Sequence, residues 1–140
     1  MRRTVPCGNT RGAIRVRKFL ILVARFGGLL ALVIGGAYVS GAKVPLGLHI
    51  CVGCAVVLAL LLLAAIGHQV SPRRAILGAI VGLAAPMMGA MQLDPSVAAS
   101  SARFVLMGIH LLLGVGAIAL AEMLNGAIGR AEAASKPAAE

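Results

Sequence analysis

Charged residues are scarce in this chain, making up 12% of its 140 residues, and only four residues are acidic. Tryptophan is absent and aromatic residues total 3%, so the basic residues lack the interleaved aromatic side chains typical of nucleic-acid surfaces. The sequence also has no glycine-rich phosphate loop, no Ser-His-Asp set and no paired carboxylates. These absences argue against a nucleic-acid partner and a self-contained enzyme, and favour an electron carrier or a subunit.

Apolar residues fill most of the sequence. They amount to 60% of the chain, and the mean hydropathy is +0.99. A soluble domain of this size could not bury so much apolar surface, so the lipid bilayer is expected to be its main partner. Because the two-residue alternation of a barrel strand is missing, the sequence predicts an all-α integral membrane fold.

Four apolar runs are long enough to cross about 30 Å of hydrocarbon. They cover roughly residues 19–41, 44–67, 75–93 and 104–124. The connections are short, so successive helices should be antiparallel neighbours, and residues 19–125 should form a four-helix bundle built from two αα-hairpins. Residues 1–18 are predicted to be a basic cytoplasmic segment, and residues 126–140 a mobile cytoplasmic tail.

Positive charge is distributed unevenly along the chain and predicts the orientation. Six of the 13 Lys and Arg residues precede the first apolar run, and Arg73 and Arg74 lie in the middle connection. This bias predicts a multi-pass protein of the bacterial inner (plasma) membrane with both termini in the cytoplasm. An alternative is a signal peptide cleaved at the small residues of segment 40–42 (Ser-Gly-Ala).

Two histidines occur inside apolar runs in the same local sequence. His49 lies in GLHICVG (47–53) and His110 in GIHLLLG (108–114). In the predicted topology both lie about 10 Å below an outer flanking cation, Lys43 or Arg103. Ionisable residues inside a bilayer are costly and usually functional. Two imidazoles at equal depth on parallel helices predict a pair of axial ligands for one b-type haem.

The neighbours of these histidines fit the same hypothesis. Gly53 and Gly114 each follow their histidine by one helical turn, where a larger side chain would meet a porphyrin edge. Arg103 is two turns outward from His110 on the same face, and Arg103 and Lys43 are predicted to pair with the propionates. Bis-histidine ligation leaves no open coordination position, so we expect electron transfer with a quinol or a partner redox subunit.

The layout of residues 19–124 resembles the four-helix unit of b-type cytochromes, and most closely one half of the haem A synthase family. The motif identity lies in the two Gly-His-Gly segments. In that family, histidines of the second and fourth helices hold haem, which the resemblance carries over to His49 and His110. The catalytic unit of the family has an acidic residue ahead of a histidine, and none lies near His49, so the resemblance implies haem binding and not synthase chemistry.

Two other functions are compatible with the sequence. One is a cofactor-free accessory subunit of a membrane complex, in which the histidines only bond across helices. The other is copper handling by soft ligands, although Cys51 and Cys54 do not share the helical face of His49. We interpret these cysteines as small buried hydrophobic residues. Arg25 is predicted to extend to the cytoplasmic surface and Glu122 to be interfacial.

Overall fold

The computed structural model describes residues 10–135, which form helices and no strand. The elements are α1 (Thr10–Leu22), a π-helical turn (Val23–Gly27), α2 (Gly28–Val39), α3 (Leu46–Gly67), α4 (Pro72–Met91), α5 (Pro95–Ala98) and α6 (Ala102–Ala134). Four segments are long and apolar enough to cross a membrane: Gly12–Val39, called the first span, together with α3, α4 and α6. The predicted all-α, four-helix membrane fold is therefore confirmed.

The first span ends at a glycine that reverses the chain. Gly41 has φ of 86°, in the left-handed region that favours glycine. The N–H of Ala42 donates to the carbonyl of Ala37, and the N–H of Gly41 donates to that of Tyr38. These two bonds form a Schellman cap. The small residues of segment 40–42 thus end a helix and begin the first hairpin.

Proline begins two of the later helices. Pro72 follows Ser71 at the start of α4, and Pro95 follows Asp94 at the start of α5, positions where the missing N–H has no helical partner to lose. Asp94 accepts hydrogen bonds from the hydroxyl and the N–H of Ser96. These bonds favour the charged carboxylate and lower the pKa of Asp94. The turn between α4 and α6 is therefore ordered by a local cap.

Helices α3 and α6 pack against each other, and each also packs against the first span and α4. The first span and α4 therefore lie on opposite sides of the α3–α6 pair, and the two hairpins face each other. We call the end with connections 40–45 and 92–101 the histidine end, because His49 and His110 lie near it. The opposite end, with connection 68–71, is the terminal end.

Close packing is confined to one half of the bundle. No residue in 36–55 or 86–116 is buried. The buried cluster lies toward the terminal end, and its most enclosed large side chains are Leu60, Leu63 and Leu124. Small residues such as Ala59 and Ala121 let the backbones approach there. The histidine end consequently has no close-packed core of its own.

Two helices extend beyond the predicted apolar runs. Helix α1 begins at Thr10, and α6 continues to Ala134, with Ala127 and Ile128 buried. Residues 126–134 of the predicted tail are therefore helical in the structure. Arg17 explains part of this difference, because it donates to Asn125 and pairs with Glu132 at 3.1 Å. Residues 1–9 and 136–140, including the rest of the predicted basic segment and tail, lie outside the described residues.

The π-helical turn carries a second ion pair between the first span and α6. Arg25 lies in this turn, and its guanidinium donates through Nε and Nη2 to the carboxylate of Glu122; the Nη2–Oε2 distance is 2.7 Å. This bidentate geometry is the strong form of an Arg–carboxylate pair. Arg25 therefore contacts Glu122 of α6, a partner that the sequence did not identify.

Candidate functional site: a histidine pair between the two hairpins

The two intramembrane histidines meet between the hairpins. The ring centroids of His49 and His110 lie 6.1 Å apart, and the ring planes are inclined by 60°. His49 is in the first turn of α3, and His110 is in the third turn of α6. The structure thus brings together, at one level of the bundle, two residues separated by 61 positions in the sequence.

Each ring lies against a glycine of the preceding helix in its own hairpin. A Cβ atom built on Gly35 would be 3.1 Å from Cε1 of His49, and one on Gly89 would be 3.1 Å from Cε1 of His110. Both values are shorter than an ordinary carbon–carbon contact of about 3.5–4.0 Å. Glycine therefore permits the observed ring positions, and the two hairpins repeat the same glycine–histidine contact.

A backbone carbonyl fixes the orientation of one ring. Nδ1 of His110 donates to the carbonyl oxygen of Ala85 over 2.9 Å. A carbonyl oxygen can only accept, so Nδ1 carries the proton and Nε2 keeps its lone pair in the neutral ring. This is the arrangement that supporting carbonyls give to metal-bound histidines. The acceptor directly precedes Pro86, and α4 continues through that proline.

The ring of His49 lacks some of its hydrogen-bond partners. Nδ1 of His49 is buried and has no hydrogen-bond partner in the structure. The Nε2 atoms of both histidines also lack a hydrogen-bond partner among residues 10–135. Leaving a buried polar atom without a partner is unfavourable, which makes His49 a candidate for an additional ligand. The pair therefore has two imidazoles with uncommitted nitrogen atoms.

The other predicted site residues lie at the same end of the bundle, and the two glycines do not touch the rings. A Cβ atom on Gly53 would meet nothing within 4 Å, and one on Gly114 would meet only Leu32 at 3.8 Å. Lys43 is exposed in the first connection, and Arg103 is half-buried in the first turn of α6. Neither cation forms an ion pair with the residues that the structure describes.

The cysteines and two of the methionines that the sequence offers as soft ligands lie on exposed surfaces. Cys51 and Cys54 are unpaired and exposed, so our prediction that they are buried is wrong. Met87 and Met91 are 65% and 47% exposed. Within residues 10–135, no three His, Cys, Asp or Glu side chains are grouped closely enough to hold a metal ion. The third histidine, His68, is exposed at the terminal end.

Sequence reasoning did not identify Gly35, Gly89 and the carbonyl of Ala85 as neighbours of the histidines. The signal that could have found the glycines is the spacing of small residues, since Gly35 follows Gly27 by eight positions and Gly89 follows Gly82 by seven. That spacing marks the face that a neighbouring helix approaches.

Comparison with family models, with curated proteins and with solved structures found no match for this chain.

Proposed function

We propose that this protein is a membrane electron carrier that holds one b-type haem between His49 and His110. The observation that carries the proposal is the 6.1 Å distance between the ring centroids. A metal–imidazole bond is about 2.0 Å and the ring centre lies about 1.1 Å behind the nitrogen, so two imidazoles on opposite sides of one metal have centroids about 6 Å apart. The spacing of these rings fits that value.

The hydrogen bonding of the rings also fits haem ligation. The Nδ1 proton of His110 is committed to Ala85, which leaves Nε2 as the only ligating nitrogen of this ring. His49 has a buried Nδ1 without a partner, so its orientation is the less constrained of the two. A haem with two histidine ligands supplies one-electron transfer and has no position for oxygen.

The uneven packing of the bundle supports the proposal that a flat macrocycle fits at the histidine end. No residue of segments 36–55 and 86–116 is buried, so insertion of a ring at the histidine end would not disrupt a close-packed core. Gly53 has open space beside it, where a porphyrin edge could lie. Arg103 and Lys43 lie at that end without an ion-pair partner in the described part of the chain, and we assign them to the propionates.

We further propose that the histidine end faces the periplasm of a bacterial inner membrane, with the chain ends in the cytoplasm. The support is the concentration of Lys and Arg before the first span and at the connection between α3 and α4. A haem near the periplasmic boundary could exchange electrons with a quinol or a partner redox subunit. The resemblance of the layout to one half of the haem A synthase family supports the same ligand pair.

An optical spectrum of the purified full-length protein, expressed with sufficient haem, tests the proposal. We expect one haem per chain and a reduced α-band that is lost in His49→Ala and in His110→Ala. His68→Ala is the matched control, because it removes an exposed histidine at the opposite end and should leave the spectrum unchanged. A colourless protein, or an unchanged spectrum in His49→Ala, would contradict haem binding.

A cofactor-free accessory subunit is the second candidate. It is favoured by the His110–Ala85 hydrogen bond and the edge-on ring contact, since interhelical packing alone can produce both. In that case glutamine could replace the ring as a hydrogen-bond donor. His110→Gln would then retain the assembly and stability of the wild type, and the purified protein would have no Soret absorbance.

A further inference from the structure

An open cavity at the terminal end is lined by three arginines, and the proposed haem function does not use it. It has a volume of about 540 Å³ and lies between the α3–α4 connection and the last turns of α6. Arg73 and Arg74 border it from the start of α4, and Arg130 borders it from α6. We call this space the arginine cavity.

The three arginines of the cavity have no carboxylate partner among residues 10–135. The chain has four acidic residues, and two of them are engaged elsewhere, Glu122 by Arg25 and Glu132 by Arg17. Asp94 lies at the histidine end, and Glu140 lies outside the described residues. The cavity therefore concentrates three positive charges that the described part of the chain does not neutralise.

The backbone adds further donors at the same place. Helix α4 begins with Pro72 at its first turn, and Ser71 makes no side-chain cap. The N–H groups of that turn consequently have no capping oxygen, and the positive end of the helix dipole adds to the arginine charges. Arg guanidinium groups and free N–H groups at a helix start are the donors that bind phosphate oxygens.

Apart from Ser71, the remaining lining is apolar and distinguishes a lipid from a free ion. Val70, Ala127 and Ala131 complete the wall of the cavity. Free phosphate would gain nothing from these side chains, whereas the glycerol and first acyl carbons of a phospholipid could pack on them. The connection at residues 68–71 ends a membrane-crossing helix, which is the level at which lipid headgroups lie.

We propose that the arginine cavity binds the phosphodiester headgroup of an anionic phospholipid. Basic pockets between transmembrane helices are suited to such headgroups. The bound lipid would join the start of α4 to the end of α6, and so connect these two helices. This proposal is independent of haem, and it holds or fails without reference to the histidine end.

Native mass spectrometry of the full-length protein in detergent, titrated with phosphatidylglycerol or phosphatidylcholine, tests the proposal. We expect selective binding of phosphatidylglycerol. Each arginine near a lipid headgroup strengthens binding about fivefold, so Arg130→Gln should weaken it about fivefold and Arg73→Gln/Arg74→Gln roughly 30-fold. The control Arg15→Gln/Lys18→Gln removes two exposed charges outside the cavity and should retain the wild-type affinity.

Three outcomes would overturn the proposal. Equal binding of the two lipids would show that the cavity does not select an anion. Equal losses in the cavity variant and the control variant would assign the effect to general surface charge. Displacement of phosphatidylglycerol by inorganic phosphate at the same concentration would assign the cavity to a free ion. Unfolding of each variant in phosphatidylcholine-containing detergent reports whether the fold is intact.

Discussion

The contact between Gly35 and His49 provides a quantitative test of the proposed ligand geometry. In Gly35→Ala, the new methyl carbon would be 3.1 Å from Cε1 and 3.5 Å from Nδ1 of the ring. Since carbon atoms prefer separations of about 3.5–4.0 Å, the ring would have to move by roughly 0.4–0.9 Å. Metal–ligand distances tolerate only about 0.2 Å. The variant should therefore lose haem affinity, by about 10- to 100-fold if the loss resembles that of other ligand-supporting residues.

Titration of the apo-protein with haem, followed by Soret absorbance against a competing haem binder, measures this affinity. Gly36→Ala is the matched control, because it lies next in the same helix and its added carbon would meet nothing within 4 Å. Wild-type affinity in Gly35→Ala, or an equal loss in Gly36→Ala, would refute the argument that the glycine sets the ring position.

In the same assay, Gly53→Ala distinguishes an effect on haem binding from an effect on the stability of the protein. An added carbon at Gly53 meets no protein atom within 4 Å, so the stability of the apo-protein should not fall. If a porphyrin edge lies beside this residue, haem affinity should nevertheless decrease. Unchanged affinity would show that the haem edge does not approach Gly53.

Two further predictions concern the rest of the bundle. Gly28→Ala should lower the free energy of unfolding, because its methyl carbon would lie 2.6 Å from two atoms of Ile118. Overpacking typically costs about 1–3 kcal/mol. Replacing a helical glycine with alanine gains only about 0.5–1 kcal/mol. Chemical unfolding in detergent should rank Gly28→Ala below Gly36→Ala, and equal stabilities would contradict the predicted overlap. Glu122→Gln should lower the thermal midpoint by leaving Arg25 unpaired, and adding Arg25→Gln should restore part of the loss. Strictly additive effects in this double-mutant cycle would show that the pair is not coupled.

Apolar run length and connection length were sufficient to predict the four spans and their pairing into hairpins. A repeated motif on two parallel helices further predicted that His49 and His110 lie at one depth, and in the structure the two rings meet. Both inferences use spacing along the chain alone.

The helix ends and the glycines that lie against the histidine rings could not be predicted, because both depend on tertiary contacts. Hydropathy marks the part of a helix that lies in hydrocarbon, but the extension of α6 is accompanied by a contact between Arg17 and Glu132, residues far apart in sequence. Gly35 and Gly89 belong to spacings that indicate close helix packing in general. Which of the small residues faces a histidine follows only from the packing of the hairpins.

The uneven packing of the bundle has a consequence for its motion. Local opening free energies follow the amount of buried apolar contact, so the two halves should differ in protection from hydrogen exchange. Backbone amides around Leu60 and Leu124 should exchange only on global unfolding, whereas those near His49 should exchange through smaller openings. The hairpins should thus separate more readily at the histidine end than at the terminal end, which would give the proposed haem an entry route without unfolding of the bundle.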